Sequence, residues 1–220
     1  MTPTLISRRS RGPPPLSSGA GRASSPGPSM RVTIRDYRPS DRGHLARTLE
    51  ILQDYLVDLD PWHRVARTQD HSSKVVPHRL RAVRRNDGFI LVAVTDGVPV
   101  GIVVGWIRPF SAIERTEDAP TRMGFVPDLA VLPGWRGKGI GTKLLRAAER
   151  RFRLAHCDQI GLGVFPPNRG ARRLYRHRGY SVRGMWLVKR LGPPLSRWPT
   201  PSRRNRAPRS SRSRSASSGP

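Results

Sequence analysis

The sequence predicts a single α/β domain with a mixed, mostly antiparallel sheet and helices on both faces, flanked by two basic tails. Between residues 31 and 192, apolar runs of strand length alternate with segments of helical periodicity. The pair Asp96-Gly97 joins two such runs, which is typical of an antiparallel hairpin. Residues 1–30 and 193–220 mix Pro, Ser, Gly and Arg without periodicity. We expect these tails to be disordered because they can bury little apolar surface.

The first half of the domain predicts a strand, two helices and a hairpin. The first helix carries leucines at helical spacing, with Ser40 as its expected N-cap and Asp41 in its first turn. In order, the expected elements are the strand Arg31–Tyr37, the helix that follows Ser40, a helix over about 74–86, and the hairpin strands Phe89–Thr95 and Val98–Ile107.

The second half alternates strand and helix and then ends in two strands. Its short helix carries Asn168 as the expected N-cap and ends at Gly179. In order, the expected elements are a polar loop over 108–122, the strand Val126–Leu132, a helix from about Gly139 to Ala155, the strand Ile160–Phe165, the helix Asn168–Arg178, and the strands Tyr180–Arg183 and Met185–Arg190.

Positive charge is spread over the whole chain. The 220 residues hold 41 Lys and Arg against 15 Asp and Glu, a net charge of +26. The tails hold eleven Arg and no acidic residue, so residues 31–192 carry +15. Arg-rich coding by a GC-rich genome explains this excess. A partner with negative charge, such as nucleic acid, an anionic membrane or a phosphorylated ligand, is the alternative. Coding bias is favoured for the tails, and neither explanation excludes the other for residues 31–192. Nucleic acid is the less favoured partner.

The sequence predicts a cytoplasmic protein with no membrane span, no disulfide and no metal site. Cys157 is the only cysteine, and the histidines lack metal-ligand spacing. No run of 18 apolar residues occurs, and the N-terminus lacks the apolar core of a secretory signal. The acid-free, Arg-rich start is similar to an organellar transit peptide, but its prolines disfavour the helix that such peptides form. A start of translation at Met30 is a further alternative.

A glycine-rich turn after Pro133 is the segment that indicates chemistry. A buried strand ends there, and an amphipathic helix follows a turn that contains Gly137, Gly139 and Gly141. Glycines allow backbone amides to approach a ligand closely, and a helix start favours an anion. Together with the positive charges of Arg136 and Lys138, this pattern predicts a diphosphate-binding loop.

Two common phosphate-binding patterns do not fit this turn. The spacing departs from a Walker A loop, and Thr142 stands where a dinucleotide fingerprint has its third glycine. An oxidoreductase of the Rossmann type is therefore disfavoured. Arg136, Gly139 and Gly141 instead match Arg/Gln-x-x-Gly-x-Gly, which resembles the acetyl-CoA signature of the GNAT N-acetyltransferases.

Neighbouring segments strengthen this resemblance, which covers about residues 31–191. The strand that precedes the signature matches, and so does a second block downstream. The matching segments are Leu129-Ala130-Val131 with Pro133, Ile160–Phe165, Asn168, Leu174-Tyr175 and Gly179-Tyr180.

The resemblance implies a single GNAT domain in which strands four and five splay apart and hold the pantetheine arm of acetyl-CoA between them. It implies Tyr175 as the proton donor to the departing thiolate, since a phenol suits that role. No metal takes part. The implied acetyl-CoA contacts are backbone pairing from Leu129, Ala130 and Val131, the pyrophosphate cradle of Arg136, Gly137, Lys138, Gly139, Ile140, Gly141 and Thr142, and a contact of Asn168 with the cofactor arm.

The general base is where the sequence departs from the family. Many members carry a Glu on strand five, and the corresponding residue here is Gly163. Asp128 is the best remaining carboxylate, although a structural hydrogen-bonding role fits it equally. Weaker candidates are Glu114, Glu117 and Asp118.

The resulting hypothesis is transfer of an acetyl group from acetyl-CoA to a primary amine, by direct attack in a ternary complex. The acceptor is a small molecule or a peptide, and the protein is a monomer or a homodimer. The alternative hypothesis is a non-catalytic GNAT-fold module that binds CoA or nucleic acid.

Overall fold

A computed structural model describes residues 31–117, 122–189 and 191–192. The two tails predicted to be disordered lie outside the described residues. The described part contains a five-stranded sheet and five helices. The strands are β1 (Val32–Asp36), β2 (Phe89–Thr95), β3 (Val98–Ile107), β4 (Met123–Val131) and β5 (Gln159–Leu162), and the helices are α1 (Arg42–Leu59), α2 (His71–Arg85), α3 (Glu114–Glu117), α4 (Ile140–Leu154) and α5 (Arg169–His177).

The sheet is mixed, as the sequence predicts, and its strand order follows the chain from β1 to β5. The first four strands pair antiparallel, whereas β4 and β5 are parallel and joined by the crossover helix α4. A one-residue shift interrupts the pairing of β3 with β4. Val104 faces Asp128 and Trp106 faces Phe125, so β4 has one residue more than β3 between these two pairs. Such a bulge bends the strand that carries the extra residue.

Each face of the sheet is covered by helices. On one face, α1 and α2 bury an apolar cluster against the middle strands; α4 covers the other face through Phe152. A side chain at Gly105 or Gly124 would collide with the Phe152 ring, so these two glycines make room for it. The cluster under α1 and α2 consists of Leu45, Leu49, Val76, Ile90, Ile102, Val104 and Ala130.

The start of α1 differs from the prediction. Ser40 lies inside a short 3-10 turn over Pro39–Asp41, and Asp41 is the residue that precedes α1. The buried Asp41 carboxylate accepts two hydrogen bonds from the guanidinium of Arg35 and one from the backbone N–H of Arg38. These bonds satisfy the buried Asp41 carboxylate and stabilise the turn. The Ser40 hydroxyl could not fill this role.

The two final strands are absent from the described chain. Residues 181–189, where Tyr180–Arg183 and most of Met185–Arg190 were expected as strands, have no regular structure. The apolar pattern that predicts a strand is present, but a strand also needs a neighbour to pair with. In the loop predicted over 108–122, the short helix α3 forms; residues 118–121 lie outside the described part.

Candidate functional site

A cleft opens where β4 and β5 stop pairing. The two strands pair only from Met123 to Val126 on β4, and β4 then continues alone on that side to Val131. The separation begins at the bulge, next to Pro127, which lacks an N–H for the ladder. This is the splayed arrangement that the resemblance implies for strands four and five.

The backbone of β4 alternates between β3 and the cleft. The N–H of Leu132 donates to the carbonyl of Val100 on β3, and two residues earlier Ala130 faces Ile102 on the same strand. Since strand residues alternate in direction, the N–H and C=O groups of Leu129 and Val131 face the cleft. The backbone of Ala130, which the resemblance implies as a pairing partner of the ligand, is instead engaged with β3.

The N-terminus of α4 lies at the mouth of this cleft. Gly137 and Gly139 have φ angles of 77° and 75°, a left-handed conformation that glycine adopts readily. No side chain caps the described helix start, and no acidic residue stands in its first turn. The first N–H groups of a helix lack intrahelical partners, so the amides of α4's first turn are free to bind an anion. A Cβ at Gly141 would meet the Leu174 side chain of α5 at an ordinary contact distance of 3.5 Å.

Two cations flank this turn, and each rests on an aromatic ring. The Lys138 ammonium lies 5.0 Å from the centre of the Trp135 ring. The Arg136 guanidinium lies 5.0 Å from the ring centre of Tyr55 on α1, and its Nε donates to the carbonyl of Val131 at 2.9 Å. Both charges are exposed and stand beside the free amides, which favours a ligand with two linked phosphates.

Asn168 joins α5 to α1. Its side-chain oxygen accepts a hydrogen bond from the N–H of Ala171 at 3.1 Å, so Asn168 is the N-cap of α5 as predicted. The same oxygen accepts a longer bond, 3.4 Å, from the hydroxyl of Tyr55. Tyr55 thus contacts residues on both sides of the cleft.

Tyr175 lies on α5, half-buried against Tyr180. The two ring centres are 5.9 Å apart, and the N–H of Tyr180 donates to the carbonyl of Tyr175. Burial raises the pKa of the Tyr175 phenol above its usual value. The hydroxyl therefore stays protonated at neutral pH, as a proton donor must.

Asp128 is buried on the α1–α2 face of β4 and forms an ion pair. Its carboxylate accepts hydrogen bonds from Nε and Nη2 of Arg79 on α2, at 2.6 and 3.2 Å. The guanidinium also lies 5.8 Å from the centre of the Trp106 ring. The ion pair with Arg79 thus engages both oxygens of the Asp128 carboxylate.

A comparison with known families agrees with this geometry. The model of the acetyltransferase (GNAT) family matches residues 49–180, which include β4, the turn, α4, β5 and α5. The chain belongs to the GNAT acetyltransferase family.

Curated relatives of this GNAT chain carry acetyltransferase names. An uncharacterized N-acetyltransferase of Methanocaldococcus jannaschii is 34% identical over 49% of this chain and 47% of its own length. The thialysine N-epsilon-acetyltransferase of Mus musculus is 27% identical over 66% of this chain and 82% of its own length. An uncharacterized N-acetyltransferase of Bacillus subtilis is 28% identical over 40% of this chain and 54% of its own. The chain thus spans about half the length of the first curated relatives that it matches.

Solved structures share the fold of this GNAT domain. The tetramutant of the BH1408 protein from Bacillus halodurans superimposes with a TM-score of 0.62 at 20% identity, over 72% of this chain and 99% of that one. The aminoglycoside acetyltransferase AAC(6')-Iy, solved with a CoA-containing bisubstrate analogue, gives a TM-score of 0.54 at 19% identity, over 73% and 97%. At this identity the likeness concerns the fold.

Sequence reasoning missed two residues of this GNAT site, Tyr55 and Arg79. Both lie on helices that precede the signature by more than 45 residues, and their helical context contains no motif. Among the weaker base candidates, a backbone hydrogen bond from Ser111 and the guanidinium of Arg108 lower the pKa of Glu114 to about 2. Glu114 is therefore a poor base, and Asp118 lies outside the described residues.

Two further properties concern the described part of the chain alone. None of its helices combines the length and the apolar character that crossing a bilayer requires. Its His, Cys, Asp and Glu side chains form no group of three or more that could hold a metal ion.

Proposed function

We propose that this GNAT chain transfers an acetyl group from acetyl-CoA to a primary amine. The observation that carries the proposal is the uncapped N-terminus of α4, with left-handed Gly137 and Gly139, at the mouth of the β4–β5 cleft. Anions bind at such helix ends because free amides and the helix dipole both favour negative charge.

The residues around the cleft fit acetyl-CoA along its length. We assign the diphosphate to the amides of residues 137–142 with the charges of Arg136 and Lys138, and the pantetheine arm to the backbone of Leu129 and Val131. Asn168 would contact the arm through the side-chain amide whose oxygen caps α5. Acetyl-CoA supplies an acyl group activated as a thioester. The protein's main contribution is to hold amine and thioester together.

Tyr175 is the proposed proton donor to the departing thiolate. The raised pKa of the Tyr175 phenol, which keeps the hydroxyl protonated, supports this role. Tyr175 would donate its phenolic proton to the sulfur as the amine nitrogen bonds to the acyl carbon and the C–S bond of the thioester breaks. A phenol contributes here as a general acid.

Asp128 is the proposed acceptor of the amine's proton. The guanidinium of Arg79 pairs with this carboxylate. An incoming substrate ammonium carries the same charge as the guanidinium and can take its place, after which the carboxylate removes a proton from the nitrogen. The same Asp128 carboxylate would thus bind the acceptor's ammonium group and act as the base.

We propose the class of acceptor from the amino groups that the relatives' substrates share. The names of the mouse relative and of the aminoglycoside enzyme both refer to substrates with amino groups. A net charge of +15 on residues 31–192 disfavours acceptors with many positive charges, because like charges repel during encounter. We therefore favour an acceptor with one or few amines.

An assay of CoA release against a panel of amines tests this function. Mass spectrometry of the panel should show the gain of one acetyl group on a primary amine. Binding of acetyl-CoA without turnover on any amine would instead support the non-catalytic CoA-binding module. Salt-dependent binding of nucleic acid with no affinity for acetyl-CoA would contradict the enzyme altogether.

A further inference from the structure

Two parts of the domain differ sharply in their content of acidic residues. Residues 31–128 carry 15 Lys and Arg against 13 Asp and Glu, a net charge of +2. Residues 129–192 carry 15 Lys and Arg against 2 Asp and Glu, a net charge of +13. An Arg-rich coding bias acts on both parts alike, so it does not explain why acidic residues are rare in the second. A charge asymmetry of this kind is typical of proteins that bind nucleic acid or membranes.

Nine of the 15 basic residues in the second part lie on α4 and α5, which are neighbours in the structure. Arg178, directly after α5, forms an ion pair with Glu149 of α4, and its Nε donates to that carboxylate at 3.3 Å. Glu149 is the only acidic residue on the two helices, and it is 6% exposed. Neither helix therefore presents an acidic side chain to solvent.

The exposed basic residues of α4 form one row, and α5 adds more of them beside it. Those of α4 follow each other at intervals of three and four residues, which places them on one face of the helix over about 15 Å. The row on α4 consists of Lys143, Arg146, Arg150 and Arg153, and the exposed arginines of α5 are Arg169, Arg172, Arg173 and Arg176. We call these eight residues the basic face. Within the described part of the chain, none of them forms an ion pair.

The basic face is unfavourable for the chain by itself. Like charges three and four residues apart on a helix repel each other, and the neighbouring helix contributes further positive charge. A bound polyanion would remove this repulsion. The basic face is therefore complementary in charge to an extended anion.

The chemistry of the basic face fits the phosphate backbone of a nucleic-acid duplex. Seven of its eight residues are Arg, whose guanidinium binds phosphate through two parallel hydrogen bonds. A duplex carries one negative charge per about 1.7 Å of its axis, so phosphate charge would lie along the whole row. Single strands also need aromatic rings on which their bases stack. The Phe and Tyr rings of the two helices, Phe152 and Tyr175, are buried and half-buried.

An anionic membrane fits the basic face less well. A helix that lies in a bilayer surface inserts an apolar side between the lipids. On α4 that side is buried against the sheet, where Leu144, Leu145 and Phe152 are at most 1% exposed. The basic face therefore suits a partner that is bound by charge without insertion.

We propose that the basic face binds the phosphate backbone of duplex nucleic acid without regard to base sequence. The sequence alone makes nucleic acid the less favoured partner, whereas the placement of these residues on two adjacent helices without exposed acids supports it. Arg146, Arg150 and Arg153 lie more than one helical turn beyond the start of α4. The duplex site is thus separate from the amides assigned to the diphosphate of acetyl-CoA.

Fluorescence anisotropy of labelled DNA and RNA duplexes with the full chain, over a series of salt concentrations, tests the proposal. Both duplexes should bind the wild type, because the contacts are to phosphates. A variant that combines Arg146→Gln, Arg150→Gln and Arg153→Gln should bind at least about tenfold more weakly at about 0.1 M salt. The slope of log K against log salt should become shallower by about 2–3, since three phosphate contacts are lost.

A matched control removes the same charge from another helix. It combines Arg81→Gln, Arg84→Gln and Arg85→Gln, which are exposed positions on α2. Its salt slope should differ from that of the wild type by less than about 1. Arg→Lys at the three α4 positions keeps the charge and should keep the slope, which separates loss of charge from loss of folding.

Several results would overturn the proposal. No binding of either duplex by the wild type, unchanged affinity in the α4 variant, or an equal loss in the α2 variant would show that the basic face is not the site. Displacement of the duplex by poly-glutamate as readily as by unlabelled duplex would indicate an acidic protein as the partner. Binding to vesicles of anionic lipid but not to duplexes would indicate a membrane. None of these readouts uses acetyl-CoA, so failure here leaves the proposed acetyl transfer untouched.

Discussion

The guanidinium of Arg79 and the carboxylate of Asp128 form a two-point ion pair that ties α2 to β4, with N–O distances of 2.6 and 3.2 Å. Asp128 is only 6% exposed. The pair lies next to the bulge where β4 leaves β5. It therefore connects α2, on the side where the acceptor is proposed to bind, to β4, which is proposed to hold the acyl donor.

Substitution of either partner separates a catalytic from a structural role of this pair. Arg79→Met and Asp128→Asn should each lower the free energy of unfolding by about 1–3 kcal/mol, because each leaves a polar partner unsatisfied. Only Asp128→Asn should also lower kcat, by about 100-fold, since it alone removes the proposed base. Thermal unfolding and steady-state kinetics measure the two effects. An equal loss of kcat in both variants would show that Asp128 only positions α2.

The left-handed glycines give the second prediction. Gly139→Ala should lower stability by about 1–2 kcal/mol, because an alanine is strained at a φ of 75°, and should weaken acetyl-CoA binding. Gly134→Ala is the control, since Gly134 lies in the same turn region with open space around it and without a positive φ. Titration of both variants with acetyl-CoA checks this. Unchanged affinity in Gly139→Ala would remove the turn from the proposed binding site.

Removal of the Tyr175 hydroxyl gives the third prediction. Tyr175→Phe should lower kcat while the affinity for acetyl-CoA stays close to that of the wild type, because the ring and its contact with Tyr180 remain. Burial raises the pKa of this phenol, so the wild-type rate should fall only at strongly alkaline pH. A kcat that is the same in both proteins across the pH range would assign Tyr175 to the core.

The Asp41–Arg35 pair gives a prediction on pH. The Arg35 guanidinium lowers the pKa of Asp41 in the folded protein, so the pair stabilises the fold above the unfolded pKa of about 3.9. This contribution is lost as the pH falls from there through the lower folded pKa. Asp41→Asn should therefore reduce the melting temperature at pH 7, and its difference from the wild type should shrink below about pH 4. A pH-independent difference would contradict the linkage.

Local patterns were enough to predict most of the fold and the glycine turn before α4. The bounds of β2 and β3 follow from two apolar runs around Asp96-Gly97, and the structure has them where the sequence predicts them. The positive φ angles of Gly137 and Gly139 agree with a turn that needs glycine.

Contacts between distant segments could not be predicted. Tyr55 meets Arg136 and Asn168 only after α1 has packed beside β4, and no local pattern encodes that proximity. The same holds for Arg79 and Asp128, which are 49 residues apart. Residues 181–189 show the opposite case. Their apolar pattern predicts strands, but no described strand pairs with them, and the prediction is wrong there.

Calorimetric titration with acetyl-CoA and with S-acetylpantetheine, which lacks the diphosphate and the nucleotide, tests the central claim most directly. If the amides at the start of α4 hold the diphosphate, acetyl-CoA should bind and S-acetylpantetheine should bind at least about tenfold more weakly, a difference of about 1.4 kcal/mol. Equal affinity for the two compounds, or no binding of acetyl-CoA, would contradict the account.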